Sequence, residues 1–235
     1  AGFAVLLRVL LAAFPATLPN STVPYWAVLV ALMSVATMTL GNSLALAQRN
    51  IKRLLAYSSI AHAGYALIGV VAASSLGVTS VVYYLLVYVL TNLAAFGVVV
   101  IFWRVVHSDD IADYAGLSRR APGLSLAMMV AFLSLAGMPP LGGFVGKFFV
   151  FAAAIDADYI WLAVVGVLNS IIGLYYYLTV LKVVYLYRSE NDDKPVPVPR
   201  PYALALTILT VGIILAGTVL VPWFDTAVRA AQGLF

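Results

Sequence analysis

Long, uninterrupted apolar stretches constrain this chain more than anything else in it. They lie at about 1–14, 24–47, 54–73, 79–103, 122–154, 159–187 and 202–221. A helix of about 20 apolar residues spans the roughly 30 Å hydrocarbon core of a bilayer. Backbone groups in hydrocarbon must be satisfied within the protein, which leaves helices or a closed barrel. Continuous apolar runs, rather than short alternating ones, select helices. Composition agrees, because 64% of residues are hydrophobic and only 9% charged, against about 25% charged in soluble domains. So few polar side chains cannot cover a water-facing exterior. The expected fold class is an all-α polytopic membrane protein with about seven transmembrane segments, all in a single domain over 1–235.

Several kinds of chemistry are excluded. There is no cysteine, so the chain cannot supply thiolates to an iron–sulfur cluster or zinc ion, and it forms no disulfide. Two histidines and no acidic cluster inside an apolar segment give no metal site. A net charge of +4 needs no nucleic acid, since basic residues flank membrane helices. The opening Ala1-Gly2-Phe3 stands inside an apolar run without an initiator methionine or a signal-peptide n-region. A segment of a longer protein is the expectation.

Basic residues alternate with the segments. Arg49, Lys52 and Arg53 follow the second; Arg104, Arg119 and Arg120 flank the loop after the fourth; Arg188, Lys194 and Arg200 follow the sixth. The intervening connections, 15–23, 74–78 and 155–158, hold no Lys or Arg. The positive-inside rule then puts the basic loops in the cytoplasm and the C-terminus outside. Tyr25, Trp26, Tyr159, Trp161, Tyr202 and Trp223 sit at segment ends, where interfacial aromatics belong. Ser74 to Gly77 is expected as a short turn, and Pro195 to Pro201 as an extended, solvated linker.

The fifth segment is too long. At about 1.5 Å per residue, a helix over 122–154 would reach about 50 Å. Its middle reads Gly137-Met138-Pro139-Pro140-Leu141-Gly142-Gly143. Tandem prolines remove backbone donors and clash with the preceding turn, and glycines permit an irregular path. A discontinuous helix, broken near the midplane, is predicted. Such breaks are tolerated where they are buried in protein or line a hydrated cavity.

Lys147, four residues beyond Gly143, is the foremost candidate for chemistry. Asp156 is more than two turns away and no near loop offers an escape, so the amine is held in a low-dielectric interior. Intramembrane ionisable groups of this kind serve proton relays; the plainer alternative is a lysine that anchors the kink through freed carbonyls. His62, roughly 13 Å along its segment from Arg53, is the second candidate, with Ser58, Ser59 and Tyr65 as helical neighbours. Imidazole exchanges protons near neutral pH, yet a neutral histidine bonded between helices fits as well. Tyr84, Tyr88 and Asn92 form a stripe at spacing four, either lining a hydrated path or bonding neighbouring helices. Lys182, six residues from Arg188, can reach the interface as an anchor or join a relay. Asp109, Asp110 and Asp113 are expected to do no more than solvate their loop, and His107 carries no case for function.

The stretch Gln48-Arg49-Asn50-Ile51-Lys52-Arg53-Leu54-Leu55-Ala56-Tyr57-Ser58-Ser59-Ile60-Ala61-His62-Ala63-Gly64-Tyr65 resembles the proton-translocating antiporter-like family. That family comprises the large membrane subunits of NADH–quinone oxidoreductase (respiratory complex I) and related cation/proton antiporter subunits. A second matching signature runs from Ala136 through Pro139, Pro140, Gly142, Gly143 and Lys147 to Phe148. Within the family, Ala61-His62-Ala63-Gly64-Tyr65 is most similar to the N-subunit branch. So is the presence of Tyr84, Tyr88 and Asn92 where antiporter-type paralogues tend to place titratable His and Lys.

The resemblance implies a fold with about twice this many helices in two inverted repeats, each with one broken helix. This chain would be the C-terminal half, and Lys147 the central lysine of its repeat. A glutamate–lysine pair would lie upstream of Ala1. The implied function is proton translocation by a non-redox subunit of a translocase, from a central hydrated axis toward the outside. NADH, FMN, iron–sulfur clusters and quinone would belong to partner membrane and redox subunits, with no cofactor or metal in this chain. The implied location is a bacterial inner membrane, with lipid, internal water and protons as the other partners. A cation/proton antiporter subunit without redox coupling is the rival expectation, and a purely packing subunit a third.

Overall fold

The computed structural model describes residues 2–14, 24–189 and 194–232. Local capping rules set most helix limits. A short helix α1, Gly2–Arg8, continues as a π-helix over Val9–Ala13. Helix α2, Tyr25–Leu46, ends just before Asn50, whose side chain accepts the Arg53 N–H at 3.0 Å and opens α3, Ile51–Val71. Ser74 caps α4, Ser75–Val106, in the same manner by accepting the Gly77 N–H at 3.0 Å. The expected turn at 74–77 therefore lies earlier, with Gly77 already helical. His107, in the left-handed region with φ 56°, ends α4.

A 3₁₀ turn over Ile111–Tyr114 and the single turn α5, Leu117–Arg120, lead to α6, Pro122–Ala136. Pro122 occupies the first turn of α6, where its missing N–H costs nothing. Residues 137–141 then separate α6 from α7, Gly142–Asp156. Helices α8, Ile160–Leu186, α9, Arg200–Thr218, and α10, Leu220–Gln232, complete the order. No strand occurs among the described residues. Five helices, α2, α3, α4, α8 and α9, are long and apolar enough to cross a membrane, and α1 with its π-helical extension and α6 are shorter apolar helices.

Helix α10 runs beyond the last apolar segment expected from the sequence, 202–221. Its apolar face packs against α4 around Tyr83 and Val87, through Trp223, Phe224 and Ala227. The 15–23 connection lies outside the described residues.

The fold is sorted by solvent in the reverse of a water-soluble protein. Leu29, Leu32, Leu186, Leu204, Ile208 and Val221 are exposed, whereas Ser34, Asn42, Ser58, His62, Thr91 and Lys147 are buried. The core joins α4, α6 and α8 through Phe102, Phe132 and Tyr177, and a second cluster joins α2, α3, α7 and α8 through Met38, Tyr65, Val150 and Leu162. Ser34 at the α2–α3 crossing donates to the Gly64 carbonyl at 2.8 Å, a close helix approach of the kind small residues allow.

The basic loops are built into one end of the bundle. Ile51 N–H bonds the Asp109 carbonyl and Ile111 N–H the Arg49 carbonyl, both at 2.9 Å. Lys52 pairs with Asp109 at 2.8 Å. Val196 N–H bonds the Arg120 carbonyl at 3.1 Å, and Arg120 Nε donates to the Lys194 carbonyl at 3.0 Å. Tyr114 is buried and stacks on Phe102 at 3.8 Å.

Two expectations are corrected here. The carboxylates of the 104–121 loop do more than solvate it: Asp109 is paired, Asp110 caps the 3₁₀ turn through the Ala112 N–H, and Asp113 accepts from Ser108. The proline-rich 195–201 stretch is not a solvated linker throughout, because Val196 is buried and Arg200 already opens α9. Both follow from backbone donors on adjacent loops finding each other before water.

Since the native chain has no cysteine, introduced ones report the sidedness directly. A membrane-impermeant maleimide applied from one face should label Ser108→Cys and Lys194→Cys alike, while Ser75→Cys, across α3, should react from the other face.

Candidate functional site

Where α6 ends, the backbone dictates what can sit beside it. Gly137 is left-handed at φ 86°, and its N–H bonds the Leu133 and Ser134 carbonyls. A Cβ at Gly137 would lie 3.0 Å from Lys147 Cδ, so the bare glycine makes the space the lysine stem occupies. A Cβ at Gly143 would stand 1.8 Å from the Ser134 carbonyl oxygen, a contact no side chain permits. The two helix ends meet through that gap, where Gly143 N–H donates to Ser134 Oγ at 3.1 Å and Thr91 Oγ1 approaches the same hydroxyl at 3.3 Å.

Lys147 extends back along α7 into this junction. Its residue exposure is 5%, and Nζ donates to the Ala136 carbonyl at 3.1 Å. The amine also stands 4.6 Å from the centroid of the Tyr65 ring, a cation–π distance. On its other side, Lys147 walls a recess of about 280 Å³ together with Met138, Phe144, Phe148, Ser170 and Ile171.

His62, on α3, is buried in the same cluster. Its Nδ1 lies 2.6 Å from the Tyr84 hydroxyl and its Nε2 3.4 Å from the Tyr177 hydroxyl. Tyr88 stacks on the imidazole at 5.0 Å and Tyr65 meets it edge-on at 5.7 Å. Tyr177 also bonds Ser58 closely. Seven residues separate Ser58 from Ile51 at the basic end of α3, about 10 Å of helix. A ladder of exchangeable protons thus runs from His62 through Tyr177 to Ser58, toward the end that carries the basic loops.

A second network was not anticipated from the sequence. Asn42 on α2 donates from Nδ2 to the Tyr65 hydroxyl and to the Asn169 Oδ1 and carbonyl, each at 3.2 Å. Its Oδ1 accepts from the Tyr176 hydroxyl at 3.1 Å, and Asn169 donates to Thr39 at 3.4 Å. The signal for it was present, since Asn42 and Asn169 are single amides within long apolar helices, where a polar side chain needs a partner on another helix. What the sequence lacked was the contact between α2 and α8.

The structure therefore gathers Lys147, His62, Tyr65, Tyr84, Tyr88 and Ser58 into one buried cluster, and adds Asn42, Asn169, Tyr176, Tyr177 and Ser134. Ser59 bonds its own helix at Leu55 and faces Tyr88. Asn92 is half-buried one turn beyond Tyr88, outside the cluster's hydrogen bonds. Lys182 is not brought in at all. It is exposed near the basic end of α8, with Nζ 5.6 Å from the Tyr187 ring. No group of His, Asp or Glu that could hold a metal ion occurs among the described residues.

The protein family described as NADH:quinone oxidoreductase/Mrp antiporter, transmembrane, matches residues 1–173. The chain belongs to that family. Within the antiporter-like family its relatives include NADH-quinone oxidoreductase subunit N of Trichlorobacter lovleyi, 46% identical over 220 residues, 93% of this chain and 44% of the relative. Subunit N of Moorella thermoacetica is 43% identical over 235 residues, 100% of this chain and 48% of that protein. The chain spans about half the length of the curated relatives it matches.

Among solved structures, respiratory complex I from Thermus thermophilus matches with a TM-score of 0.68 and 36% identity, over 82% of this chain and 44% of the other. The Mrp complex from Dietzia sp. shares the fold at a TM-score of 0.82 and 22% identity, over 89% and 47%. The antiporter-like chain is thus a multi-pass bacterial membrane protein similar to the N subunits.

Asn42 offers a test of the amide network. Asn42→Leu would remove the amide that Tyr65, Tyr176 and Asn169 share, and each buried hydrogen-bonding atom left unsatisfied costs about 1–3 kcal/mol. The expected result is a lower melting temperature in detergent than for a same-helix control such as Leu40→Ala, which alters an exposed position.

Proposed function

We propose that this chain conducts protons within an N-type membrane subunit of NADH–quinone oxidoreductase, with redox chemistry carried out in other subunits. The observation that carries the proposal is the placement of the Lys147 amine. It is buried at the α6–α7 interruption, bonded to one carbonyl, and set between the Tyr65 ring and a recess of about 280 Å³. An ammonium has three N–H donors, and the single carbonyl bond leaves capacity for water in that recess to take up or return a proton.

In this proposal α6 and α7 form one discontinuous crossing, and the chain's own groups perform the transfer. Lys147 gives a proton to recess water and becomes a neutral amine, which still donates an N–H to the Ala136 carbonyl while its lone pair can accept from water. His62 takes up a proton at Nδ1 or Nε2, through the Tyr84 or Tyr177 hydroxyl. Two positive charges in one low-dielectric cluster repel, so loading one site favours release at the other. Coupling energy would arrive from neighbouring subunits as a shift in that electrostatic balance. The Ser58–Tyr177–His62 ladder supplies contact toward the basic end, which the charge rule assigns to the cytoplasm. Release on the opposite side would proceed by way of the Lys147 recess.

In this reading NADH, FMN, iron–sulfur clusters and quinone belong to partner subunits, as the family resemblance implies; the lack of cysteine bears only on the clusters. The family also includes Mrp antiporter subunits, so the second reading is cation/proton exchange without redox coupling. Sodium-dependent proton flux in the absence of NADH oxidation would favour it.

Proton pumping by the assembled complex in sealed vesicles decides the role of Lys147. With NADH oxidation recorded in parallel, Lys147→Ala should cut pumping per NADH at least severalfold, the scale of a lost acid–base group being about 10²–10⁴. Lys147→Arg should not restore it, because a guanidinium keeps its proton. Unchanged pumping stoichiometry in Lys147→Ala would remove the lysine from the mechanism.

A further inference from the structure

Away from Lys147, a larger groove of about 630 Å³ opens between α6 and α9. Its walls are nearly all aliphatic, with Leu126, Ala127, Leu206, Val211 and Ile214 along its length and Val196 over its mouth. Arg120 is the one charged residue among the described residues of the lining, and no carboxylate is among them. The guanidinium is fixed there rather than trailing in solution. Its Nε donates to the Lys194 carbonyl at 3.0 Å, and Val196 N–H ties the 194–199 segment to the Arg120 carbonyl at 3.1 Å.

The groove is polarised along the membrane normal. Arg120 stands at the basic end, beside the start of α9 at Arg200, where the helix dipole adds positive potential. From Ala203 to Ile214 the α9 wall runs eleven residues, about 16 Å, or roughly the depth of one leaflet of a 30 Å core. A cation at the interface above an aliphatic slot one leaflet deep matches the polarity of a single phospholipid.

We propose that this groove binds one anionic phospholipid of the surrounding bilayer, with its phosphate on the Arg120 guanidinium and an acyl chain laid between α6 and α9. Nη1 and Nη2 remain for the phosphate while Nε holds the Lys194 carbonyl, and a planar guanidinium suits paired contacts to phosphate oxygens. Basic pockets between membrane helices recognise lipid headgroups in this manner. A helix of a neighbouring subunit would cover the aliphatic wall but bring no phosphate to the arginine. The proposal needs only that the chain sits in a bilayer, and it stands apart from the proton pathway.

Native mass spectrometry of the assembly containing the full chain, released from nanodiscs of equal dioleoylphosphatidylglycerol and dioleoylphosphatidylcholine, tests it. The wild type should retain phosphatidylglycerol in preference by about fivefold, the scale of one basic residue's attraction for an anionic lipid. Arg120→Gln should bring the two lipids to parity, and Arg120→Lys, which keeps the charge, should preserve most of the preference. Thr207→Trp, which fills the groove from an exposed position, should abolish retention of either lipid. Equal retention by the wild type, undiminished preference in Arg120→Gln, or cross-linking of Thr207→Cys to a neighbouring subunit in place of lipid would overturn the assignment.

Discussion

Residues 137–141, between α6 and α7, leave backbone groups outside the helical pattern, and buried groups of that kind need partners. Three of the carbonyls freed at the end of α6 are taken by groups of this chain. Leu133 accepts from Gly137 and Met138, Ser134 from Gly137, and Ala136 from the Lys147 amine. On the far side, the first N–H groups of α7 find Ser134 Oγ and the Leu141 carbonyl. The donor that bonds the helix end, Lys147, is also the group proposed to carry a proton.

Holding that amine has consequences for the helices around it. A buried cation is costly unless it is paired and hydrogen-bonded, yet among the described residues no carboxylate pairs with Lys147. Its electrostatic partner is the face of Tyr65, an aromatic quadrupole that attracts the charged form without binding the proton. Tyr65 is in turn held through its hydroxyl by Asn42, which ties it to Asn169 and Tyr176 on α8. The amide network thus sets the position of the ring against which the lysine rests, and α2, α3, α7 and α8 are locked in one register.

The basic end is organised on a different principle. There the chain leaves hydrocarbon, and loops satisfy one another across the mouths of three helix pairs. The Asn50–Asp110 bridge, the Lys52–Asp109 pair and the Arg120–Lys194 contact make a rigid collar. One part of that collar, at Arg120 and Val196, lines the lipid-sized groove.

The apolar runs, the loop charges and the proline–glycine interruption were legible in the sequence because each reflects a local rule: helix length against bilayer thickness, charge at helix ends, missing donors at Pro139 and Pro140. Lys147 and His62 stood out for the same reason, as ionisable groups deep in apolar segments. Their partners did not. Tyr84 and Tyr177 meet His62 from helices 22 and 115 residues away, and Asn42 meets Asn169 across 127 residues. Such pairings depend on how helices cross, which in lipid is settled by close packing and interhelical hydrogen bonds rather than by periodicity. Lys182 shows the converse. Its sequence depth left a relay open, and the rotation of α8 turned it outward to Tyr187. Sequence alone determined that the chain crosses a membrane, where its backbone breaks and which amine lies at the break. Only the tertiary structure decided which hydroxyls, amides and rings that amine and imidazole would face, because those neighbours are chosen by helix packing.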